Sequence, residues 1–128
     1  MNYSGLYDLE IEKGILGLMI TYPDSKNTSN IIKKLSESIF FDIKNGELFR
    51  IISKMIQENK AVDLLSVTHE LRGKASIVLS AGYLFECVNS IISQTTNYHV
   101  LILTEFKIRR DLVKLAMIID KNSRDLKR

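Results

Sequence analysis

The sequence predicts an all-α fold, a compact six-helix bundle whose last helix is long. Three observations predict it. The single proline, Pro23, lies between apolar segments and not within one. Leu, Ile, Lys and Glu are plentiful and helix breakers are scarce, a composition that favours helices. Apolar residues recur at threes and fours along most of the chain, the spacing of one helical face. At 128 residues, 45% hydrophobic and 26% charged, the chain reads as one globular domain. Its length suffices to bury roughly two thirds of its unfolded surface.

The first helix, about 8–22, organises the rest. Asp8 is its N-cap, and Glu10 and Glu12 put negative charge on the positive end of the helix dipole. From Gly14 to Ile20 every residue is apolar or glycine, so this helix belongs inside the bundle. Gly14 and Gly17 each cost a helix about 1 kcal/mol relative to Ala, which points to close backbone approach. Pro23 ends the helix at Tyr22, and Pro23 to Asn27 is turn chemistry. A second helix is expected from about Thr28 to Ser38, with Ile31, Ile32, Leu35 and Ile39 inward. Phe40 and Phe41 read as aromatic core filling. Asn45 caps a third helix, about 46–58, whose core face is Leu48, Phe49, Ile52, Met55 and Ile56. Asn59 to Ala61 turns the chain.

Asp63 caps a fourth helix, about 64–72, and Gly73 fits a left-handed stop. Residues 73–80 are expected as a connector. Ser80 caps a fifth helix, about 81–92, with Leu84, Cys87, Val88 and Ile91 on one face. After a polar break at 93–96, the sixth helix runs from about Asn97 to Asn122. Tyr98, Ile102, Phe106, Val113, Ala116 and Ile119 form one apolar set on it. Leu101, Leu103, Ile108, Leu112, Leu115 and Met117 spread onto other faces. One domain cannot easily bury both sets, so a partner chain is implied. The core is expected around Ile15, Leu16, Met19, Phe49, Ile52 and Leu84.

The sequence shows no constellation of residues for catalysis. A phosphate-cradling loop needs Gly-x4-Gly-Lys-Ser/Thr, and the nearest match, at Gly73-Lys74, has Thr68 and Ala75 where Gly and Ser/Thr are required. His69, His99 and Cys87 are the soft metal ligands, and none has a partner at ligand spacing. Glu10 and Glu12 point to different helix faces, so they make no acid–base pair. The expectation is no catalytic, cofactor or metal residue in this chain, and no enzyme activity from it alone. With one cysteine, no signal-peptide pattern and no apolar run approaching the ~20 residues of a membrane span, the expected place is the cytoplasm.

Net charge is +3, unevenly spread: residues 105–128 carry +4 and the rest −1. A basic terminal helix suits nucleic acid, an acidic partner or a solvated face. Interleaved Asp111, Asp120 and Asp125 argue against a DNA-reading helix.

Taken in order, the segments resemble a known family, the N-terminal domain of DnaB-type replicative DNA helicases. The resemblance starts with Asp8 to Gly17 and its acidic, then Leu-Gly, pattern. It continues through Phe40-Phe41, Leu48-Phe49, Val62 to Val67 with Leu71, Ala81-Gly82-Tyr83-Leu84, and the charged stretch Glu105 to Leu112. It covers about residues 8–115. The sequence departs from the family pattern at Ile11, where a small residue is usual. It departs again at Asn45, where His is common, and at Ile91 to Gln94, where a proline is expected.

The resemblance implies a globular head, about 8–92, and a helical arm, about 97–122, within one domain spanning 1–128. In the family, arms pair into dimers, three dimers form a collar on the helicase hexamer, and the collar receives the helicase-binding domain of primase. A helicase loader is a further expected partner, DNA contact is expected to be weak or indirect, and no membrane is implied. On this reading Ile102, Phe106, Val113, Ala116 and Met117 are oligomer contacts. Lys107, Arg109, Arg110 and Lys114 would meet an acidic partner or DNA. The chain stops where the family continues through a second hairpin helix, a linker and a RecA-like ATPase. An isolated domain, a truncated piece or a short phage-type relative would each fit, with ATP and Mg confined to the parent's missing domain. A different functional class also fits: a primase-side or free-standing helicase-binding adaptor of the same fold.

Overall fold

A computed structural model describes residues 3–74, 80–90 and 96–126. Among these residues there are six α-helices, a single 3-10 turn and no strand. Helix α1, Leu9–Thr21, is capped by Asp8, which accepts from the Ile11 amide at 3.1 Å. It lies at the centre, packed on by helices from the rest of the chain. A Cβ on Gly17 would stand 2.0 Å from the Cys87 carbonyl oxygen, so the expected close backbone approach is real at Gly17. The element pressed against it is α5, Ala81–Asn89.

Helix α2 is Lys26–Lys34, earlier at both ends than the expected 28–38. Ser25 caps it by accepting from the Thr28 amide at 3.2 Å, and the Thr28 hydroxyl donates to the Tyr22 carbonyl at 2.7 Å. The helix stops because Leu35 turns extended. The serines beyond it favour local bonding over helix, and Ser36 and Ser38 bond each other at 3.0 Å. Glu37–Ile39 then forms the 3-10 turn.

Helix α3 is Ile43–Gln57, and its cap is Asp42, which accepts from the Lys44 amide at 2.8 Å. This corrects the expectation that Asn45 is the cap: Asn45 is buried inside the helix. Asn59 takes a left-handed backbone, φ 58°, and the Lys60 amide returns to the Met55 carbonyl at 2.9 Å. That is a helix-ending turn in which Asn is one of the few residues at ease.

Asp63 and Ser66 cap α4, Leu64–Lys74, reciprocally: the Ser66 amide donates to Asp63 Oδ1 at 2.7 Å and the Asp63 amide to Ser66 Oγ at 2.9 Å. The expected stop at Gly73 is wrong, because the helix continues through it to Lys74. Ser80 caps α5 by accepting from the Tyr83 amide at 3.1 Å, and α5 ends at Asn89, short of the expected residue 92. The expected connector at 75–79 and the polar break at 93–95 lie outside the described residues. Helix α6, Thr96–Leu126, has 31 residues, about 46 Å at 1.5 Å per residue.

Ile15, Leu16, Met19, Phe49, Ile52 and Leu84 are all buried in one core cluster, joined by Val100 and Leu103 from α6. The two phenylalanines separate. Phe40 is buried, with its ring 5.1 Å from that of Phe49, whereas Phe41 is partly exposed and stacks on Tyr7 at 4.1 Å. Phe41 is therefore not core filling. The reason lies beneath it.

Candidate interaction surface

Glu12 is fully buried, at 0% exposure, just before the apolar run of α1. Its carboxylate accepts from the Phe41 amide at 2.8 Å, the Asp42 amide at 3.3 Å and Asn45 Nδ2 at 2.9 Å. The Asn45 carbonyl oxygen in turn accepts from the Tyr83 hydroxyl. Burial raises the Glu12 carboxyl above its ordinary 4.5, against the opposing pull of Asn45, the two amides and the positive charge of Arg110. Burial likewise raises the Tyr83 hydroxyl. One carboxylate thus anchors the turn between the 3-10 element and α3, and aligns α1, α3 and α5. These buried partners rigidify because every one is satisfied.

Arg110 closes the other side. It is 7% exposed, and donates from Nη1 to the Leu6 carbonyl at 2.7 Å and from Nη2 to the Ile39 carbonyl at 2.9 Å. Its guanidinium carbon lies 5.4 Å over the Phe41 ring, in cation–π range. Burial lowers the Arg110 pKa and the Glu12 charge opposes that shift. Tyr3 sits edge-on to Phe41 at 6.3 Å. The lead-in, residues 3–8, is therefore held to α6 by the Arg110 bond to the Leu6 carbonyl and to Phe41 by the rings of Tyr3 and Tyr7.

Arg110 is also where α6 leaves the head. Among the described side chains of α6, Val100, Leu103 and Arg110 are buried, Val113 is half-buried, and residues 114–125 are exposed throughout. The opposite side carries six large apolar residues between 51 and 62% exposed: Tyr98, Leu101, Ile108, Leu112, Leu115 and Ile119. Leu103 and Leu112 are nine residues apart, about two and a half turns at 3.6 residues each. The stripe therefore faces away from the head. Single exposed apolar residues are ordinary, but six on one face, with exposed Glu105 between Leu101 and Ile108, make a candidate interface.

The residues expected as oligomer contacts lie on one side of α6 and differ in exposure along it. Ile102 packs on the core, Phe106 and Val113 are half-buried, and Ala116 and Met117 are exposed on the projecting part. The expected basic contacts separate. Lys107 binds Asp111 at 2.9 Å and Arg109 binds Glu105 at 2.8 Å, both within α6, while Lys114 is exposed. Arg110, expected on the surface, is buried, because its guanidinium satisfies two carbonyls that would otherwise be orphaned. Leu112 and Leu115 were read as apolar, but which face was free depended on where the head sits.

The Cys87 thiol is buried and pushed up to about 12, so it is no nucleophile. Among the described residues, no three His, Cys, Asp or Glu gather as a metal site, and no helix is long and apolar enough to cross a membrane.

The fold and its packing have counterparts among known proteins. A crystal structure of the N-terminal domain of DnaB helicase from Mycobacterium tuberculosis superposes with a TM-score of 0.82, covering 93% of this chain and 86% of that one at 20% identity. In sequence, the chain is 28% identical over 116 residues to a replicative DNA helicase DnaB from Rhodothermus marinus. The match takes in 88% of this chain and spans 12% of that relative's length. Residues 4–105 match the family described as DnaB-like helicase N terminal domain. The chain belongs to the DnaB-like helicase N-terminal domain family.

Proposed function

We propose that this domain is the collar of a hexameric replicative helicase, joining subunits through α6 and receiving the helicase-binding domain of a primase during DNA replication. One observation carries the reading: α6 projects from a well-packed head with large apolar residues exposed along it. An apolar row of that kind costs solubility unless another helix covers it. Family membership supplies the class of assembly, and a trimer of dimers is the arrangement proposed for the parent protein. ATP binding and hydrolysis are assigned to that parent's motor domain, since this chain lacks a Gly-x4-Gly-Lys-Ser/Thr loop.

Binding calorimetry between the chain and a primase helicase-binding domain tests the partner. Saturable binding is expected, with no ATPase turnover from the chain alone. Absence of binding by a self-associated chain would remove primase from the reading. A chain that stays monomeric yet binds an intact helicase hexamer would instead make it an adaptor.

A further inference from the structure

We propose that the groove between the end of α2 and the outer side of α3 is a docking site for an acidic peptide, which sets one large apolar side chain into it. The groove is separate from α6 and does not depend on self-association.

The groove follows from how α2 ends. Leu35 leaves the helix with an extended backbone, φ −108° and ψ 159°, and Ser36 stays extended. The chain thereby leaves a groove of about 530 Å³ beside α3, within the usual size of a ligand pocket. Ile32, Leu35 and Phe49 give it an apolar lining, and Arg50 and Lys54 stand at its edge. Among the described residues none from α6 lines it.

Ser53 is the first sign of a partner. It lines the groove at 8% exposure, and among the described residues its hydroxyl has no hydrogen-bond partner. A hydroxyl inside a helix can return to the carbonyl four residues back. Thr68, Ser90 and Thr104 do so at 2.7, 2.8 and 2.9 Å. Ser53 does not. A buried hydroxyl left unpaired costs stability, and in a native fold it calls for an explanation. An acceptor oxygen on a peptide seated in the groove supplies the missing bond.

Charge is the second sign. Lys54 is exposed at the edge, Lys33 and Lys34 are exposed in the last turn of α2, and among the described residues none of the three makes an ion pair. The carboxylate that lines the groove, Glu37, is matched by Arg50 at 3.6 Å. The surplus is positive, which attracts an acidic partner. A single-stranded nucleic acid would need exposed rings on which bases stack. The ring here, Phe49, is only 4% exposed. An apolar side chain with carboxylates beside it suits both the lining and the lysines.

Selection from a random-peptide display library on the intact chain, followed by fluorescence anisotropy with an enriched peptide, tests the site. The proposal expects Asp or Glu around one Leu, Ile or Phe in the enriched peptides. Lys54→Glu should weaken binding roughly tenfold or more, because it reverses a charge across the interface. Ser53→Ala should melt no lower than wild type, since it removes the unpaired hydroxyl, yet bind about two- to tenfold more weakly. A Ser53 with a purely structural role would move the melt and leave affinity unchanged, which would overturn the part given to its hydroxyl. Enriched peptides without acidic residues, or an acidic peptide that Lys54→Glu binds as tightly as wild type does, would overturn the site. A single-stranded oligonucleotide that binds with the same dependence on Lys54 would overturn the choice of a peptide.

Discussion

The Arg110 guanidinium donates to the Leu6 carbonyl at 2.7 Å, joining residues 104 positions apart in the chain. With the second bond to Ile39, it ties the lead-in, the 3-10 turn and the root of α6 into one unit. Each hydrogen bond to a charged group contributes about 1.5–3 kcal/mol. Arg110→Ala should therefore destabilise the domain by a few kcal/mol, and it should raise amide exchange in residues 3–8 first. A denaturation midpoint equal to wild type would show that the clamp carries no stability.

Glu12 gives a pH signature. Its folded-state carboxyl lies above the ordinary 4.5, chiefly through burial, so the folded state holds this proton more tightly than the unfolded chain does. Its contribution is then fully present below pH 4.5 and is lost as pH rises through the folded value. The stability of wild type minus that of Glu12→Gln should fall across that interval and level off above it. Urea titrations of both proteins from mild acid to neutrality measure the difference. A difference that rises with pH would mean the amides and Arg110 outweigh burial.

Two glycines should respond in opposite ways. Gly17→Ala places a methyl group 2.0 Å from the Cys87 carbonyl oxygen, so α1 and α5 must separate. The cost should exceed the ~1–3 kcal/mol of ordinary overpacking. Gly73 sits in α4 with nothing within 4 Å of a Cβ. Gly73→Ala should gain up to about 1 kcal/mol of helix propensity. Thermal melts of the pair decide it: a tolerated Gly17→Ala would mean the two helices are not in backbone contact.

Much of the fold was legible because local rules and burial agreed. Asp8, Ser80 and Asp63 cap as their side chains suggest, and the six expected core residues are buried. Failures fall where a long-range partner overrides the local signal. Asn45 has the chemistry of a cap, yet Glu12 and Tyr83 draw it into the interior. Arg110 looked like one of several surface cations, but two distant carbonyls claim it. The apolar excess of α6 was visible in the sequence. Its free face was not, since periodicity alone cannot say which stripe the head will cover. Ile102 and Phe106 were read as partner contacts for that reason, and both lie on the side turned toward the head or its flank.

The central claim is that α6 holds copies of this chain together, and sedimentation equilibrium over a concentration series tests it most directly. Leu112 stands in the exposed stripe, so Leu112→Asp leaves the head intact while burying an unpaired charge in any helix pair, a cost of several kcal/mol. The expected result is concentration-dependent association of wild type, and a monomeric Leu112→Asp chain with unchanged helical circular dichroism. A wild type that remains monomeric at the highest concentration, or a Leu112→Asp chain that sediments as wild type does, would contradict the account.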